Sequence, residues 1–307
     1  MKFLAFLLRR ALWLVLTLWI VFSVSFMLMK AVPGGPFDRE KDLPATIKRN
    51  IEARYDLDKP LWYQYSKQLL LAARWDFGHS YRLEDYSVNE IIAEGFPVSA
   101  SLGLFAMSFA LALGLFAGVI SALRRSTWLD TATMGIATLG IAVPSFVLAS
   151  LCVLVFSFWL HWLPAAGWGS PWQMILPSLC LGLPYAAYLA RLTRTSMLEV
   201  LGQDYIRTAY AKGLPGRRVV IRHALRGALL PVVSFLGPAT AGILTGSLVL
   251  ERIFNLPGMG SHFIEAAFLR DYTLATGVIM TYTLLVFTMN TLVDLSYAII
   301  DPRVKLE

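Results

Sequence analysis

Six long apolar runs divide this 307-residue sequence, and they constrain the fold more than any other feature. A bilayer hydrocarbon core is crossed by about 20 mostly apolar helical residues. The chain is 57% apolar and only 15% charged, a balance shifted away from that of soluble domains. We therefore predict an all-α membrane protein with six transmembrane helices. The runs are Ala11–Met29, Val98–Leu123, Thr131–Leu160, Met174–Leu189, Ala228–Leu250 and Thr273–Ile300.

The first run follows three basic residues, as the apolar part of a secretory signal would. It is too long for that role, and no small-x-small cleavage pattern precedes Pro33. We interpret residues 1–32 as an N-terminal cytoplasmic end followed by a retained membrane anchor, the first transmembrane helix.

Residues 33–97 have a different character, with nine basic and eleven acidic side chains. This solvated composition indicates a small polar insertion after the first helix. Within it, the pattern predicts short amphipathic helices over Pro44–Tyr55 and Leu61–Trp75, followed by a turn at Asp76–Gly78. The remainder, residues 98–307, is predicted to carry helices 2–6.

Basic residues in the short loops predict the orientation of the spans. Outside residues 33–97, fifteen Lys and Arg fall on the side shared by the termini and the second and fourth loops, against three on the other side. Both termini are therefore predicted to be cytoplasmic and the insertion periplasmic. The formal charge of +7 follows from this topology, so nucleic-acid binding is not needed to explain it.

Motifs of several enzyme classes are missing from the sequence. It contains no Gly-x-x-x-x-Gly-Lys-Ser/Thr loop, no His-Glu-x-x-His pair and no Gly-x-Ser-x-Gly elbow. The only cysteines, Cys152 and Cys180, both lie inside apolar runs. We predict a membrane conduit with no catalytic residue, no metal site and no cofactor of its own.

One acid needs a separate interpretation. Asp294 is the only ionisable residue well inside an apolar run, and it lies one helical turn from Asn290. An acid within a span is costly and by default functional, which suggests the polar wall of a substrate path or a proton site. The alternative is a carboxyl close enough to the cytoplasmic end to be hydrated or paired with a basic residue.

The segment 191–227 is nearly forty residues long, far more than two adjacent helices need to be connected. Asp204 is a suitable N-cap, Tyr205–Lys212 is compatible with a helix, and Gly213 with Pro215 would end it. A helix this short is not stable alone in water. It must dock on the membrane helices or on another protein, unless anionic lipid holds it at the interface.

The residues of this segment resemble the coupling loop of peptide-type ABC importer permeases. The resemblance covers Arg207–Leu214, Arg222–Leu225 and Leu230-Pro231. The broader importer family has Glu-Ala-Ala, three residues and Gly. Here Ala209 and Gly213 match, while Arg207-Thr208 replace Glu-Ala in the form usual in the peptide branch.

Other motifs agree with this resemblance in the same order along the chain. It covers essentially the whole sequence and is closest to the B-type permeases of oligopeptide importers, with dipeptide and nickel permeases as near relatives. The further motifs are Pro33–Pro36, Asp76–Ser80 with Trp75 in place of a Gly, Glu251–Gly260, Arg270–Tyr272 and Asp301–Arg303.

The resemblance implies a subunit of an ATP-driven importer that moves oligopeptides from periplasm to cytoplasm across the inner membrane. Its implied partners are a homologous second (C-type) permease, two cytoplasmic ATPase subunits that bind ATP and Mg, and a periplasmic peptide-binding protein. Gly213 would permit a turn that a side chain would obstruct. The residues implied to couple to the ATPase are Asp204, Arg207, Thr208, Ala209, Lys212 and Gly213.

Two further sets of residues are expected to act in transport. Small polar side chains would line the translocation path. A tight turn in the Leu256–Asp271 loop would form a gate near the periplasmic mouth, or would only connect the fifth and sixth helices. The path candidates are Thr240, Thr245, Ser247, Asn290 and Asp294, and the gate candidates are Glu251, Pro257, Gly258 and Gly260.

Three functions of other classes remain as alternatives. A proton-coupled secondary transporter would normally show internal repeats and more intramembrane ionisable groups. A membrane enzyme is disfavoured by the missing nucleophile and metal motifs. A scaffold without a conduit is the third alternative.

Overall fold

The computed structural model describes residues 2–32, 45–83 and 85–300. Regular structure in these ranges is helical, apart from one antiparallel bridge between His79 and Ser87. The predicted all-α class is confirmed. The helices are α1 (Lys2–Ala31), α2 (Ala45–Arg54), α3 (Leu61–Ala73), α4 (Val88–Leu123), α5 (Trp128–Ala142), α6 (Ser145–Cys152), α7 (Pro171–Leu201), α8 (Asp204–Ala211), α9 (Gly216–Arg218), α10 (Leu225–Gly246), α11 (Leu248–Ile253), α12 (Met259–Leu269) and α13 (Tyr272–Ile300). Two π-helical segments, Val153–Trp159 after α6 and Val219–Ala224 before α10, complete the set.

Within the described residues, five helical stretches are long and apolar enough to cross a membrane. They belong to α1, α4, α7, the continuous stretch Gly216–Ile253 and α13. A sixth crossing is provided if α5 and α6 with its π-helical extension count as one broken span. The six spans predicted from the sequence are therefore obtained only if the broken pair is counted as one span.

The break in the third run is the clearest departure from the sequence prediction. We expected one helix over Thr131–Leu160, but α5 and α6 are bent by 108° relative to each other. Val143 between them is extended, with φ −83° and ψ 124°. Pro144 explains this conformation, because a proline clashes with a helical residue before it and has no N–H to donate.

Three helix boundaries also differ from the prediction. The helix of the fourth run, α7, continues to Leu201, so residues 191–201 are helix rather than loop. Helix α4 begins at Val88, ten residues before the second apolar run and inside the predicted insertion. The expected Leu256–Asp271 loop contains the eleven-residue helix α12. Each added stretch carries polar side chains, which end an apolar run without ending a helix.

The chain divides into two compact units. The first comprises the residues up to Val98 together with Pro257–Thr288. In its core, Phe22 of α1 packs with Phe77 and with Val88 of α4. Tyr65 of α3 lies with its ring centroid 5.7 Å from that of Phe22, which attaches α3 to α1. The predicted short amphipathic helices thus appear as α2 and α3, and Pro44 at the predicted start of the first lies outside the described residues.

The second unit comprises Ser99–Leu256 and the chain from Met289 onward. Helix α7 packs against α5, α6 and α10 in this unit. It also approaches α4 closely, because Gly114 and Gly118 lie one turn apart on α4 and face it. A Cβ on Gly118 would lie 2.6 Å from the Ala190 carbonyl oxygen, and one on Gly182 would lie 2.5 Å from that of Ala106. Such small-residue faces let membrane helices pack backbone to backbone.

This close contact makes Gly118 intolerant of even a methyl group. Gly118→Ala should lower the melting temperature of the detergent-purified protein, because overpacking costs about 1–3 kcal/mol. Gly135 of α5 is the matched control, since nothing lies within 4 Å of a Cβ placed there. Gly135→Ala should be neutral or slightly stabilising, as expected from helix propensity. Equal melting temperatures for the two variants would contradict the predicted α4–α7 contact.

Candidate functional site

Helix α8 is the short helix predicted within the segment 191–227. Asp204 was expected as its N-cap, but Gln203 takes that position and Asp204 is the first helical residue. An acid there still interacts favourably with the positive end of the helix dipole. Asp204 also pairs with Arg207 at 3.4 Å, with both side chains largely exposed.

One face of α8 packs against neighbouring helices of its own unit, the second. Ile206 and Ala209 are buried in a cluster that includes Ala122 of α4, Met197 of α7 and Val219 of the second π-helical segment. This burial supplies the stability that a helix of eight residues lacks on its own. Ala209, one of the six predicted coupling residues, therefore holds α8 on its own chain and is not on its outer face.

The outer face of α8 is exposed. Residues three and four apart in a helix share a face. Four residues related in this way lie opposite Ile206 and Ala209 and are exposed. Tyr205 and Tyr210 flank it and are about half exposed. We call this set the outer face of α8: Asp204, Arg207, Thr208 and Ala211.

The end of α8 is a Schellman motif built around Gly213. The Gly213 N–H donates to the Tyr210 carbonyl at 2.9 Å, and the Leu214 N–H donates to the Ala209 carbonyl at 3.3 Å. Leu214 then packs against the cluster under α8. Gly213 has φ +78°, and nothing lies within 4 Å of a Cβ placed on it. Within this chain the requirement for glycine therefore comes from the left-handed backbone conformation of the turn and not from contact with neighbouring atoms.

The two alanines of α8 test whether the helix is docked as described. Ala209→Glu would place a charge in the apolar cluster, so α8 should detach and trypsin should cut faster at Arg207 and Lys212. Ala211→Glu introduces the same side chain on the exposed face and should leave cleavage unchanged. The measurement is the rate of limited proteolysis of the purified permease in detergent. Equal cleavage of the two variants would contradict the docking.

Asp130 forms a buried ion pair close to this helix. Its carboxylate is 4% exposed and accepts two hydrogen bonds from Arg194 of α7, from Nε at 2.7 Å and from an Nη at 2.8 Å. The Ser126 N–H donates at 2.9 Å, and the Ser121 hydroxyl also donates to it. The sequence does not indicate this site, because Asp130 lies just outside an apolar run. Its partner, 64 residues away, was counted only as a loop cation.

Glu251 was predicted as a gate residue on a loop, but it is a buried residue of α11. It is 0% exposed, and its Oε1 accepts from the Ser99 hydroxyl at 2.7 Å and the Ser247 hydroxyl at 2.5 Å. Ser247 was expected to line the path, yet it is itself buried and bonded to this carboxylate. The Ser99–Glu251 contact fixes α11 to α4.

The remaining gate candidates lie at the start of α12. Pro257 is exposed, and Gly258 and Gly260 are buried. Gly258 is extended with φ −96°, and Gly260 is helical, so neither has the positive φ of a tight glycine turn. Asn255 takes the positive φ in this region instead, at 51°.

The path candidates do not share one environment. The Thr240 hydroxyl donates to the Leu236 carbonyl at 2.6 Å within its own helix. Asn290 is exposed on α13, and Asp294 one turn later is half-buried. The side chain of Thr245 lies outside the described residues.

Asp271 organises the polar part of the first unit. It is 1% exposed and accepts from the Tyr81 N–H at 3.0 Å, the Thr273 hydroxyl at 3.0 Å and the Leu274 N–H at 3.1 Å. The Ser80 hydroxyl donates to it as well. This carboxylate therefore joins the motif Asp76–Ser80 to the start of α13.

The chain next to this carboxylate has the predicted turn and a buried tyrosine. Gly78 has φ +74°, and its N–H donates to Asp76 Oδ1 at 3.0 Å, so the Asp76–Gly78 turn is present. Tyr81 packs between Tyr55 and Tyr272, with centroids 4.7 and 6.2 Å away. Burial, followed by the nearby Asp271 charge, raises the pKa of the Tyr81 phenol, which stays neutral.

Among the residues that the structure describes, no group of three His, Cys, Asp or Glu side chains is placed to hold a metal ion. The motifs Pro33–Pro36 and Asp301–Arg303 lie outside those residues.

Known proteins are similar to this chain in sequence and in fold. The family described as "Binding-protein-dependent transport system inner membrane component" matches residues 114–306. The oligopeptide transport system permease protein OppB of Escherichia coli K12 is 48% identical over 304 residues, covering 98% of this chain and 99% of that protein. The dipeptide transport system permease protein DppB of Bacillus subtilis is 47% identical over 94% of both chains.

Solved structures support the fold. An inward-facing MetNI methionine ABC transporter structure matches with a TM-score of 0.59 at 16% identity, covering 69% of this chain and 96% of that one. A match at this identity establishes the fold alone. With the family match over 114–306 and near-full-length relatives, it shows that the chain belongs to the family of inner-membrane components of binding-protein-dependent transport systems.

Proposed function

We propose that this chain is one of the two permease subunits of an ATP-driven oligopeptide importer. The observation that carries the proposal is α8, docked on its own bundle by Ile206 and Ala209, with Asp204, Arg207, Thr208 and Ala211 exposed on the opposite face. A short rigid helix fixed on one side and open on the other suits transmission of force from a separate protein.

The proposed assembly has three kinds of partner. A homologous second permease completes the passage, and two cytoplasmic ATPase subunits bind ATP and Mg and receive the outer face of α8. A periplasmic binding protein delivers the peptide. Nucleotide-driven closure of the ATPases would favour one arrangement of the membrane helices and release would favour the other.

The proposed orientation places both termini and α8 in the cytoplasm and residues 33–97 in the periplasm. The distribution of basic residues supports this topology. The segment Leu256–Asp271, which contains α12, would then face the periplasm and help receive the binding protein. Glu251, Pro257, Gly258 and Gly260 would position this gate region.

Selectivity is proposed to lie mostly in the binding protein. A passage for peptides of many sequences needs weak contacts, because tight binding would slow release. Thr245, Asn290 and Asp294 would supply such contacts. Thr240 and Ser247 would contribute to the packing of the helices that form the wall of the path.

Dipeptide import is the second candidate for the cargo, favoured by the 47% identity to a dipeptide permease. Nickel import is a further variant within the same branch.

The experiment is uptake into proteoliposomes that contain this chain with its co-purified permease and ATPase partners. Labelled di-, tri- and pentapeptides and Ni²⁺ would be offered with the binding protein outside and ATP inside. ATP-dependent uptake that favours tri- and pentapeptides is the expected result. Uptake that ignores ATP and follows a proton gradient would identify a secondary transporter and overturn the proposal.

A further inference from the structure

The ion pair between Asp130 and Arg194 joins three parts of the second unit at one carboxylate. Asp130 belongs to α5, Arg194 to α7 and Ser121 to α4, and Ser126 lies in the connection from α4 to α5. The two parallel N–H···O bonds from the guanidinium fix orientation as well as distance. This geometry holds the start of α5 in one register against α7.

The ion pair lies directly beside the residues on which α8 docks. Met197 follows Arg194 by three residues on α7, about 4.5 Å along the helix axis. Met197 is fully buried in the cluster that also contains Ile206 and Ala209 of α8. Ala122, the neighbour of Ser121 on α4, belongs to the same cluster. A displacement of α8 therefore acts on α4 and α7 at the level of Asp130.

Helix α5 is placed to transmit such a displacement to the broken span. Beyond the ion pair, Gly140 of α5 lies against Ala187 and Leu183 of α7, with a Cβ on Gly140 lying 3.3 Å from the Ala187 Cβ. Helix α5 then ends at the 108° break before α6. Such apolar contacts carry no directional bonds, whereas a bidentate ion pair fixes both distance and orientation. In the described part of the chain, Asp130 is therefore a polar attachment point between α7 and α5, the helix that leads to the broken span.

We propose that Asp130 and Arg194 are positioning residues that make α5 and the broken span follow the movement of α8. This rests on the proposed function, since it needs an ATPase that moves α8. The ion pair would contribute little net stability, because a buried pair can be replaced by uncharged residues without loss. Its role would be the fixed register between α5 and α7.

The test compares variants in the complete complex, reconstituted with peptide-loaded binding protein. Asp130→Asn combined with Arg194→Met removes both charges, so no buried charge is left without a partner. Arg194→Lys keeps the charge but cannot make two parallel bonds. Arg191→Met is the control, one turn away on α7 and exposed. The readouts are complex yield, basal ATPase rate, its stimulation by the binding protein, and uptake.

We expect the double variant to assemble with near-normal basal ATPase, but with stimulation and uptake per ATP reduced about tenfold, the range of an allosteric coupling. Arg194→Lys should be intermediate and Arg191→Met unchanged. Normal coupling in the double variant would overturn the inference. Loss of the assembled complex in both pair variants would assign the pair to folding alone and overturn it as well. If the wild-type complex shows no stimulation, the proposed function fails instead.

Discussion

Replacing Gly213 with aspartate is expected to abolish ATP-driven uptake and transport-linked ATP hydrolysis while leaving the chain inserted in the membrane. Gly213 has φ +78° at the end of α8. An L-residue in the left-handed region costs about 1–2 kcal/mol, too little to unfold the protein. It is enough to disfavour the Schellman hydrogen bonds and release Leu214 from the cluster under α8. The outer face of α8 would then be presented at the wrong angle.

Two variants separate conformation from charge at this position. Gly216→Asp introduces the same acid three residues later, at the first residue of α9, where φ is ordinary and the nearest atom to a Cβ is 3.9 Å away. It should retain uptake. Gly213→Ala carries no charge but is strained in the left-handed region, so it should lose uptake as Gly213→Asp does. The measurement is the rate of uptake and of ATP hydrolysis in proteoliposomes for each variant. Normal uptake by Gly213→Asp would refute the role of this turn.

Asp271→Ala is expected to have the largest effect on folding. At least four donors converge on this carboxylate, and a buried donor left without an acceptor costs about 1–3 kcal/mol. The total is a large fraction of the 5–15 kcal/mol that stabilises a typical domain. The variant should therefore yield little intact permease, measured as monodisperse protein after detergent extraction.

Asp58→Ala provides the matched control for this loss. Asp58 lies in the same unit, its side chain is 42% exposed, and its ion pair with the adjacent Lys59 spans 3.4 Å. An exposed pair of this kind contributes little to stability. Asp271→Asn should fall between the two, because the amide oxygen accepts some of the hydrogen bonds while the amide NH₂ repels other donors. Wild-type yield from Asp271→Ala would contradict the described network.

The sequence predicted the elements whose signals are local. Apolar length identified the crossing segments, and the Gly213-Leu214-Pro215 pattern correctly predicted the end of α8. The presence of a proline in the sequence was not enough to predict the break at Pro144. Pro177 and Pro184 lie inside the continuous helix α7, so only packing decides which proline interrupts a helix.

The contacts that organise the candidate sites could not be predicted for a different reason. Asp130 and Arg194 are 64 residues apart, and Ser80 and Asp271 are 191 apart, so nothing local indicates that they meet. Glu251 is adjacent to apolar residues and precedes a Pro-Gly pair, a pattern that favoured a loop at the surface. Its burial depends on Ser99, which belongs to another helix.

Whether a separate ATPase drives this chain through the outer face of α8 can be measured by site-specific cross-linking in the assembled complex. A cysteine-reactive photo-cross-linker would be attached at Ala211→Cys on the outer face and, as the control, at Asp58→Cys, an exposed position in the segment proposed to be periplasmic. The natural Cys152 and Cys180 are both buried. Position 211 is expected to cross-link to an ATPase subunit with a yield that changes on ATP addition, while position 58 should give no ATPase adduct. No ATPase adduct from position 211, with the complex otherwise intact, would contradict this role of α8.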